Sequence, residues 1–211
     1  MSVREPVLHP VAITDLRPTQ ITVGMREVEA KRRAWRAKLE KVGKNKAGEF
    51  LGNHAIPVIL GPKGRSYVID HHHLCRALHE EGQDSVLVNV VADLSSLELD
   101  AFWFNLDCRG WTHPFDENGH RRPYTDVPKS MAELRDDPYR SLAGELRFAG
   151  GYAKDTTPFS EFLWANFLRD RIKSQSIDAS FDAALAQAHG LAKGAEAAYL
   201  PGWCGPSPRN A

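Results

Sequence analysis

The stretch Tyr67-Val68-Ile69-Asp70-His71-His72-His73-Leu74-Cys75-Arg76-Ala77-Leu78 carries the strongest local pattern of this 211-residue chain. Residues 67–69 are aromatic or β-branched, which favours a strand. Asp70 is a preferred helix N-cap residue, and Leu74, Ala77 and Leu78 recur at helical spacing. The stretch therefore predicts a strand that turns directly into a helix, with three consecutive histidines at the helix start.

The start of this helix is a favourable place for an anion. The first amides of a helix have no partner within it, and the helix dipole is positive at that end. Histidines there can donate to an anion or transfer protons near neutral pH. We therefore predict an anion or phosphate site in which Asp70, His72 and His73 are catalytic and His71 binds the ligand. Asp70 either caps the helix or orients an imidazole.

Two other interpretations of the histidines stay open. In a metal site, adjacent histidines would point in different directions on a helix, so His71 and His73 could converge only in an extended segment. A helical pair of ligands would need a spacing of three or four residues. In a structural interpretation, one or two of the rings are satisfied groups of the core or of the helix cap.

The surrounding sequence predicts an α+β fold whose first half combines strands and helices. Residues 56–60 and 85–91 are β-type runs. A helix fits residues 23–42, Gly43 stops it, and residues 44–48 form a loop. Helices over 138–149, 159–171 and 180–189 make the second half mostly helical. We predict a core over residues 1–110 and a helical extension over 111–211 that packs on it.

The composition excludes several classes of protein. The 27 basic and 27 acidic residues give a net charge of +0, so a nucleic-acid role would need a local basic patch. The apolar runs are far shorter than the roughly 20 residues that a membrane span needs. The chain starts without an apolar signal core, and its three cysteines form no Cys-x-x-Cys pair. These features predict a reduced cytoplasmic protein.

Three polar residues outside the histidine stretch are candidate ligand-binding groups. Thr19 and Gln20 precede the first predicted helix, where their side chains either face the pocket or cap that helix. Arg140 lies in the first turn of a later helix. The neighbouring acids are explained by the helix dipole, but Arg140 is not, and it could reach a carboxylate or a phosphate with two donors.

Three further candidates lie beyond Arg140. Tyr152 and Lys154 belong to a tight turn, Gly150-Gly151-Tyr152-Ala153-Lys154, which either covers a ligand or ends a helix. Glu161 lies on a largely apolar helix, where a buried carboxylate would need a partner. We predict ligand contacts for all three and expect Arg140 or Lys154 to pair with Glu161.

The ordered set of motifs resembles a known family. The histidine stretch is similar to the signature of the ParB/sulfiredoxin superfamily, whose common form is a strand, Asp-Gly-His-His-Arg or a variant, and a helix with Ala-Leu. The whole chain resembles the family described as "putative ParB-like nuclease", the second ParB-like domain family. The supporting stretches are Leu16-Arg17-Pro18-Thr19-Gln20, Asp136-Asp137-Pro138-Tyr139-Arg140-Ser141-Leu142-Ala143, Gly150-Gly151-Tyr152-Ala153-Lys154 and Phe159-Ser160-Glu161-Phe162-Leu163-Trp164-Ala165.

The resemblance implies a ParB/sulfiredoxin-like mixed-sheet core with a phosphate or nucleotide pocket at this helix start. The chain departs from the pattern in three ways. His71 stands at the motif's Gly, Leu74 stands at its phosphate-binding Arg, and Arg76 points elsewhere. Cys75 lies beyond the position of the sulfiredoxin cysteine, which removes sulfinate repair. The catalytic acid of the related kinases matches no single residue, with Glu27 and Asp15 as candidates.

These observations together predict an enzyme that binds a nucleotide, another anion or a small metabolite at residues 70–73. Hydrolysis of a nuclease type or phosphoryl transfer would proceed by histidine acid–base chemistry. The alternatives are a non-catalytic DNA- or nucleotide-binding module of partition type and a metal-dependent hydrolase. A nucleotide and a divalent metal are the two candidate cofactors, no metal ligands are assigned, and the oligomeric state stays open. The predicted partner is a small molecule or nucleotide, with nucleic acid less supported and no membrane.

Overall fold

A computed structural model describes residues 8–52 and 55–206, with the backbone alone for residues 44–52. The helices are Met25–Gly52 (α1), His72–Glu80 (α2), Leu99–Cys108 (α3), Pro138–Phe148 (α4), Ser160–Arg169 (α5), Ser174–Ala179 (α6) and Phe181–Ala192 (α7). The strands are Leu8–Ala12 (β1), Arg17–Pro18 (β2), Thr22–Val23 (β3), Ile56–Gly61 (β4), Arg65–Val68 (β5), Ser85–Asp93 (β6) and Arg135–Asp136 (β7). The predicted α+β class is confirmed.

The main sheet has five strands in the order β1-β6-β4-β5-β2 and is mixed. β4 pairs parallel with β6 and antiparallel with β5, while β1 and β2 form the two edges. A separate two-stranded sheet pairs β3 with β7 in parallel, with Thr22 opposite Arg135. That small sheet joins the segment before α1 to the segment before α4.

Alternating residues of the central strands supply two different cores, because successive side chains of a strand point to opposite faces. Val58 and Val68 pack with α1 and α2 on one face of the sheet. Ile59 and Tyr67 pack with Phe102 of α3 on the other face. A third core lies within the helical second half, between α4, α5 and α7.

The predicted division of the chain at residue 110 stays a prediction. The first residues of the predicted core and the last residues of the predicted extension lie outside the described part of the chain. Residues after 110 enter all three cores. Met131 and Leu134 belong to the core under α1 and α2, and Val127 belongs to the core under α3. The helices from α4 onward share the third core. In the described part of the chain, no helix is long and apolar enough to cross a bilayer.

The first helix is longer than predicted. Gly43 adopts φ 73°, which is not helical, but the chain resumes a helix immediately and α1 continues to Gly52. The predicted loop over residues 44–48 is therefore wrong. A glycine can kink a helix without ending it when the residues beyond it are good helix formers, and lysine, alanine, glutamate and leucine follow Gly43.

Arg76 points away from the helix start, as the motif comparison predicted. Its Nη1 donates to the carbonyl oxygens of Met131 at 3.1 Å and Leu134 at 3.0 Å, and also to that of Ala132. Its Nε donates to Glu80 at 2.6 Å. Arg76 therefore fixes the loop before β7 onto α2.

Replacing Arg76 by methionine should lower the free energy of unfolding by about 2 kcal/mol, because it removes charged hydrogen bonds while the apolar stem remains. Urea denaturation measures this change. Arg33→Met, on the exposed face of α1, is the matched control and should shift stability by less than about 0.5 kcal/mol. Equal effects of the two substitutions would contradict the role of Arg76.

Candidate functional site

A cavity of about 400 Å³ lies at the start of α2. Its walls are the first turns of α1 and α2, one face of α4, and the segment that leads into α5. Eight predicted site residues line it: Gln20, Asp70, His71, His72, His73, Arg140, Lys154 and Glu161. The fold thus brings together residues from both halves of the chain, separated by up to 141 positions in sequence from Gln20 to Glu161.

The turn into α2 has a left-handed residue at its centre. His71 is the N-cap of α2 with φ 66°, a conformation that favours glycine. Asp70 Oδ1 accepts the amide hydrogen of His71 at 2.6 Å, so the carboxylate caps the turn and His71 takes the N-cap position expected for Asp70. This left-handed conformation explains why the family motif has glycine at this position. In this chain a histidine adopts the same conformation.

The ring of His72 is engaged by the backbone of a distant segment. Its Nε2 accepts the amide hydrogen of Thr19 at 3.1 Å. A backbone N–H can only donate, so this nitrogen carries no proton. The ring is buried, and burial lowers the pKa of His72 to about 4. His72 is therefore a neutral hydrogen-bond acceptor that attaches the end of β2 to α2.

His73 makes the equivalent bond one segment later. Its Nε2 accepts the amide hydrogen of Gly24 at 3.0 Å. Burial first, and the nearby Arg140 guanidinium second, hold the pKa of His73 well below its ordinary value. The two rings thus anchor both ends of residues 19–24 to α2. Catalytic roles for His72 and His73 stay predictions, and the bonds that the rings form are positioning contacts.

The neutral His72 ring predicts a specific loss of stability in acid. Its pKa is about 4 in the folded protein and 6.5 when unfolded, so below pH 6.5 the unfolded chain binds a proton that the folded ring does not. The contribution is complete above that pH and is lost as the pH falls towards 4. Between pH 7 and pH 5 it amounts to about 2 kcal/mol.

The test compares wild type with His72→Gln, whose side-chain oxygen can accept the same amide without titrating. Urea unfolding at pH 7, 6 and 5 should show a shallower loss of stability in this variant. His9→Gln, on the exposed edge strand, should retain the wild-type slope. A His72→Gln slope equal to that of wild type would show that the ring is protonated in the folded state.

The Glu27 carboxylate lies within 4 Å of the His73 ring. It lies in the first turn of α1, directly after the anchored segment. One oxygen, Oε2, is 3.6 Å from His73 Nε2 and 3.4 Å from Arg140 Nη2, and Oε1 is 3.4 Å from Lys31 Nζ. The other candidate acid, Asp15, lines a separate open depression of about 510 Å³. Of the two candidates, Glu27 is the one in this cavity.

Arg140 is almost entirely buried in the cavity wall, with 8% of its surface exposed. Its Nη2 faces Glu27, and its guanidinium lies 5.4 Å from the centre of the Phe162 ring. Among the described residues, Nε and Nη1 have no hydrogen-bond partner. Two unsatisfied buried donors are unfavourable, so an acceptor group that reached them would lower the free energy of this side chain.

Glu161 has a different partner from the one expected. Arg147 Nε lies 3.2 Å from Glu161 Oε1, and the Ser160 hydroxyl donates to Oε2 at 3.1 Å. The expectation of Arg140 or Lys154 as its partner is therefore wrong. Arg147 follows Arg140 by seven residues on α4, and this helical spacing places both guanidinium groups on the cavity side.

Two predicted ligand residues serve the fold in the contacts that the structure gives them. Thr19 is fully buried, and its hydroxyl donates to the Val68 carbonyl at 2.7 Å. Tyr152 donates to the Ala143 carbonyl at 2.9 Å and stacks on Trp164 with ring centres 4.2 Å apart. Neither residue lines the cavity. Their ligand-binding roles stay predictions.

Several lining residues were absent from the sequence-based set. They are Lys31, Arg147, Thr156, Thr157, Phe159 and Phe162. The position of Lys31 could have been inferred from the sequence, because it follows Glu27 by one helical turn and therefore lies on the same face of α1. The position of Phe159 could not, because its left-handed backbone, φ 58°, and its position before α5 depend on the packing around it. In the described part of the chain, no group of three or more metal-binding side chains is arranged to hold an ion.

The mixed sheet, the turn with a left-handed residue and the helix start beside a cavity define a ParB-like α+β protein. The chain belongs to the family described as "Putative ParB-like nuclease", whose model matches residues 9–170. This match confirms the predicted family. No curated protein matches the chain.

A solved structure is similar over nearly the whole chain. It is the crystal structure of protein Atu1540 from Agrobacterium tumefaciens, with 52% sequence identity and a TM-score of 0.87. The similarity covers 96% of this chain and 100% of that chain. It therefore extends well beyond residue 170, where the family match ends, and includes most of the helical second half.

Proposed function

We propose that this protein is a hydrolase of phosphate esters in nucleotides or nucleic acid. The observation that carries the proposal is the Glu27 carboxylate, held beside the start of α2 inside the cavity. A helix start binds a phosphate group, and a carboxylate beside it can accept a proton from water. The family description, which names a nuclease, agrees with this class of reaction.

In the proposed reaction the phosphate lies against the first amides of α2. Glu27 removes a proton from a water molecule, and the water oxygen forms a bond to phosphorus. The bond between phosphorus and the ester oxygen breaks, and the leaving oxygen takes a proton from solvent. Lys31, which flanks the carboxylate, offsets the negative charge that develops on the phosphate.

His72 and His73 have positioning roles in this proposal. Their neutral rings hold the amides of Thr19 and Gly24, so they fix the segment that carries Gln20 and leads into Glu27. The proton transfer that the sequence assigned to histidine is therefore assigned here to Glu27. A carboxylate placed by rigid contacts is an effective base, because its position is fixed before the substrate binds.

The experiment is a hydrolysis screen of the purified full chain with 4-nitrophenyl phosphate, bis(4-nitrophenyl) phosphate, nucleotides and a single-stranded oligonucleotide. Each substrate is tested with a chelator and with added Mg²⁺ or Mn²⁺. Product formation with the chelator present supports the proposal. Binding of nucleotides without any turnover would favour the non-catalytic module, and turnover only after metal is added would favour the metal-dependent hydrolase.

A further inference from the structure

Arg140 carries binding capacity that the proposed reaction does not use. Only part of its guanidinium, Nη2, faces Glu27, at 3.4 Å. Nε and Nη1 have no hydrogen-bond partner among the described residues, although the side chain is more than nine-tenths buried. A guanidinium matches phosphate oxygens with several donors, so a small rotation of this side chain towards a ligand would satisfy donors that are now unpaired.

Arg140 and the start of α2 both lie close to Glu27. Glu27 Oε2 is 3.6 Å from His73 Nε2 and 3.4 Å from Arg140 Nη2. Arg140 belongs to α4, and its guanidinium lies over the ring of Phe162, in the first turn of α5. An anion bound by Arg140 would therefore contact the wall formed by α4 and α5, and an anion bound by the α2 amides would contact a different wall of the same cavity.

The other cations of the cavity are already balanced or lie at its mouth. Arg147 forms an ion pair with Glu161 at 3.2 Å, and Lys31 lies 3.4 Å from Glu27. Lys154 is exposed at the entrance. Among the described residues that line the cavity, Arg140 is therefore the cation that combines this burial with two unpaired donors. Its charge also makes a ligand with a second negative group more favourable than one with a single phosphate.

We propose that Arg140 forms a second anion subsite, and that the preferred ligand carries two phosphate groups on either side of one nucleoside. The proposal rests on the proposed function, which places the first phosphate at α2. Two sources share this chemistry, a free nucleoside 3′,5′-bisphosphate and a nucleotide within a single strand. The cavity, at about 400 Å³, has the size of a small-molecule site and admits one nucleotide rather than a duplex.

The first measurement needs no variant. Isothermal titration calorimetry compares adenosine 5′-monophosphate with adenosine 3′,5′-bisphosphate on the wild-type chain. The bisphosphate should bind about 30-fold more tightly, since a second charged hydrogen-bonding contact is added. Equal dissociation constants for the two ligands would overturn the second subsite. A trinucleotide, tested in the same way, distinguishes the sources, because tighter binding than the bisphosphate indicates a strand.

Two substitutions then locate the subsite. Arg140→Met should remove the roughly 30-fold preference for the bisphosphate, so that the two ligands bind equally. Arg140→Lys, which keeps the charge, should retain part of the preference. Arg147→Met is the matched control on the same face of α4. It should leave the preference close to the wild-type value, even if it weakens both ligands. A full preference in Arg140→Met, or its loss in Arg147→Met alone, would overturn the assignment to Arg140.

The failures of the two proposals are distinguishable. If the monophosphate binds and is hydrolysed but the bisphosphate gains nothing, the second subsite is wrong and the proposed function stands. If the preference depends on Arg140 but no phosphate ester is hydrolysed, the subsite stands and the hydrolase assignment is wrong. Circular dichroism of each variant verifies that a lost preference reflects the missing guanidinium rather than a missing fold.

Discussion

Replacing Glu27 by glutamine should reduce the hydrolysis of phosphate esters about 10³-fold, while the protein still folds and binds phosphate ligands. The amide keeps the shape of the side chain but cannot accept a proton from water, and general base catalysis contributes about 10² to 10⁴ in rate. A 10³-fold loss corresponds to about 4 kcal/mol of transition-state stabilisation. The measurement is the rate of product release with bis(4-nitrophenyl) phosphate and with the best nucleotide substrate of the wild type.

The matched control for this substitution is Glu29→Gln, two residues further along α1. Glu29 pairs with Arg32 on the outside of the helix and does not line the cavity. It should keep the wild-type rate. The proposed role of Glu27 would be disproved by a Glu27→Gln enzyme that retains more than about a tenth of the rate. It would equally be disproved by a loss of affinity that accounts for the whole decrease.

Replacing Gly24 by alanine should destabilise the protein by about 3 kcal/mol and disorganise the cavity. A Cβ atom at this position would lie 2.8 Å from Ser141 Oγ, 2.9 Å from Ser141 N and 3.0 Å from Ser141 Cα. Two of these three are backbone atoms of α4, so the helix or the Gly24 segment has to move. Gly24 also donates its amide to His73, and that bond would be disturbed by the same shift.

Urea denaturation provides the test, and the chain offers a control with the opposite sign. A Cβ atom at Gly190, inside α7, meets nothing within 4 Å. Gly190→Ala should therefore stabilise the protein by about 0.5 to 1 kcal/mol, since alanine is the better helix former. A Gly24→Ala protein within about 1 kcal/mol of wild type would show that α1 and α4 are packed more loosely than the structure indicates.

Much of the site was predictable where the chemistry is local in sequence. The strand, turn and helix around residues 67–78 follow from residue preferences and spacing, and the turn does lie at a cavity. The prediction also brought Arg140, Lys154 and Glu161 to the same ligand, and all three line that cavity. Arg140 stood out because the helix dipole explains its acidic neighbours but not its guanidinium, and Glu161 stood out because a buried carboxylate needs a partner.

The remaining features depend on partners that are distant in sequence. His72 and His73 accept amide hydrogens from residues 53 and 49 positions away, and no local pattern encodes that pairing. The Tyr152 hydroxyl donates to a carbonyl of α4 and so stabilises the helical half, a contact that the sequence pattern did not predict. The kink at Gly43 was predicted as a helix end because a single sequence shows the glycine but not whether the helix resumes.

The bond from the Arg26 amide to the Ser141 hydroxyl joins residues that are 115 positions apart, beside the contact between Glu27 and Arg140. During synthesis on the ribosome, the first wall of the cavity emerges long before the second. The cavity is therefore completed only after α4 and α5 have left the exit tunnel. A nascent or proteolytically shortened chain that ends before residue 140 would carry the histidine motif without the α4 and α5 wall of the cavity, so we expect the proposed reaction only in chains that extend beyond α5.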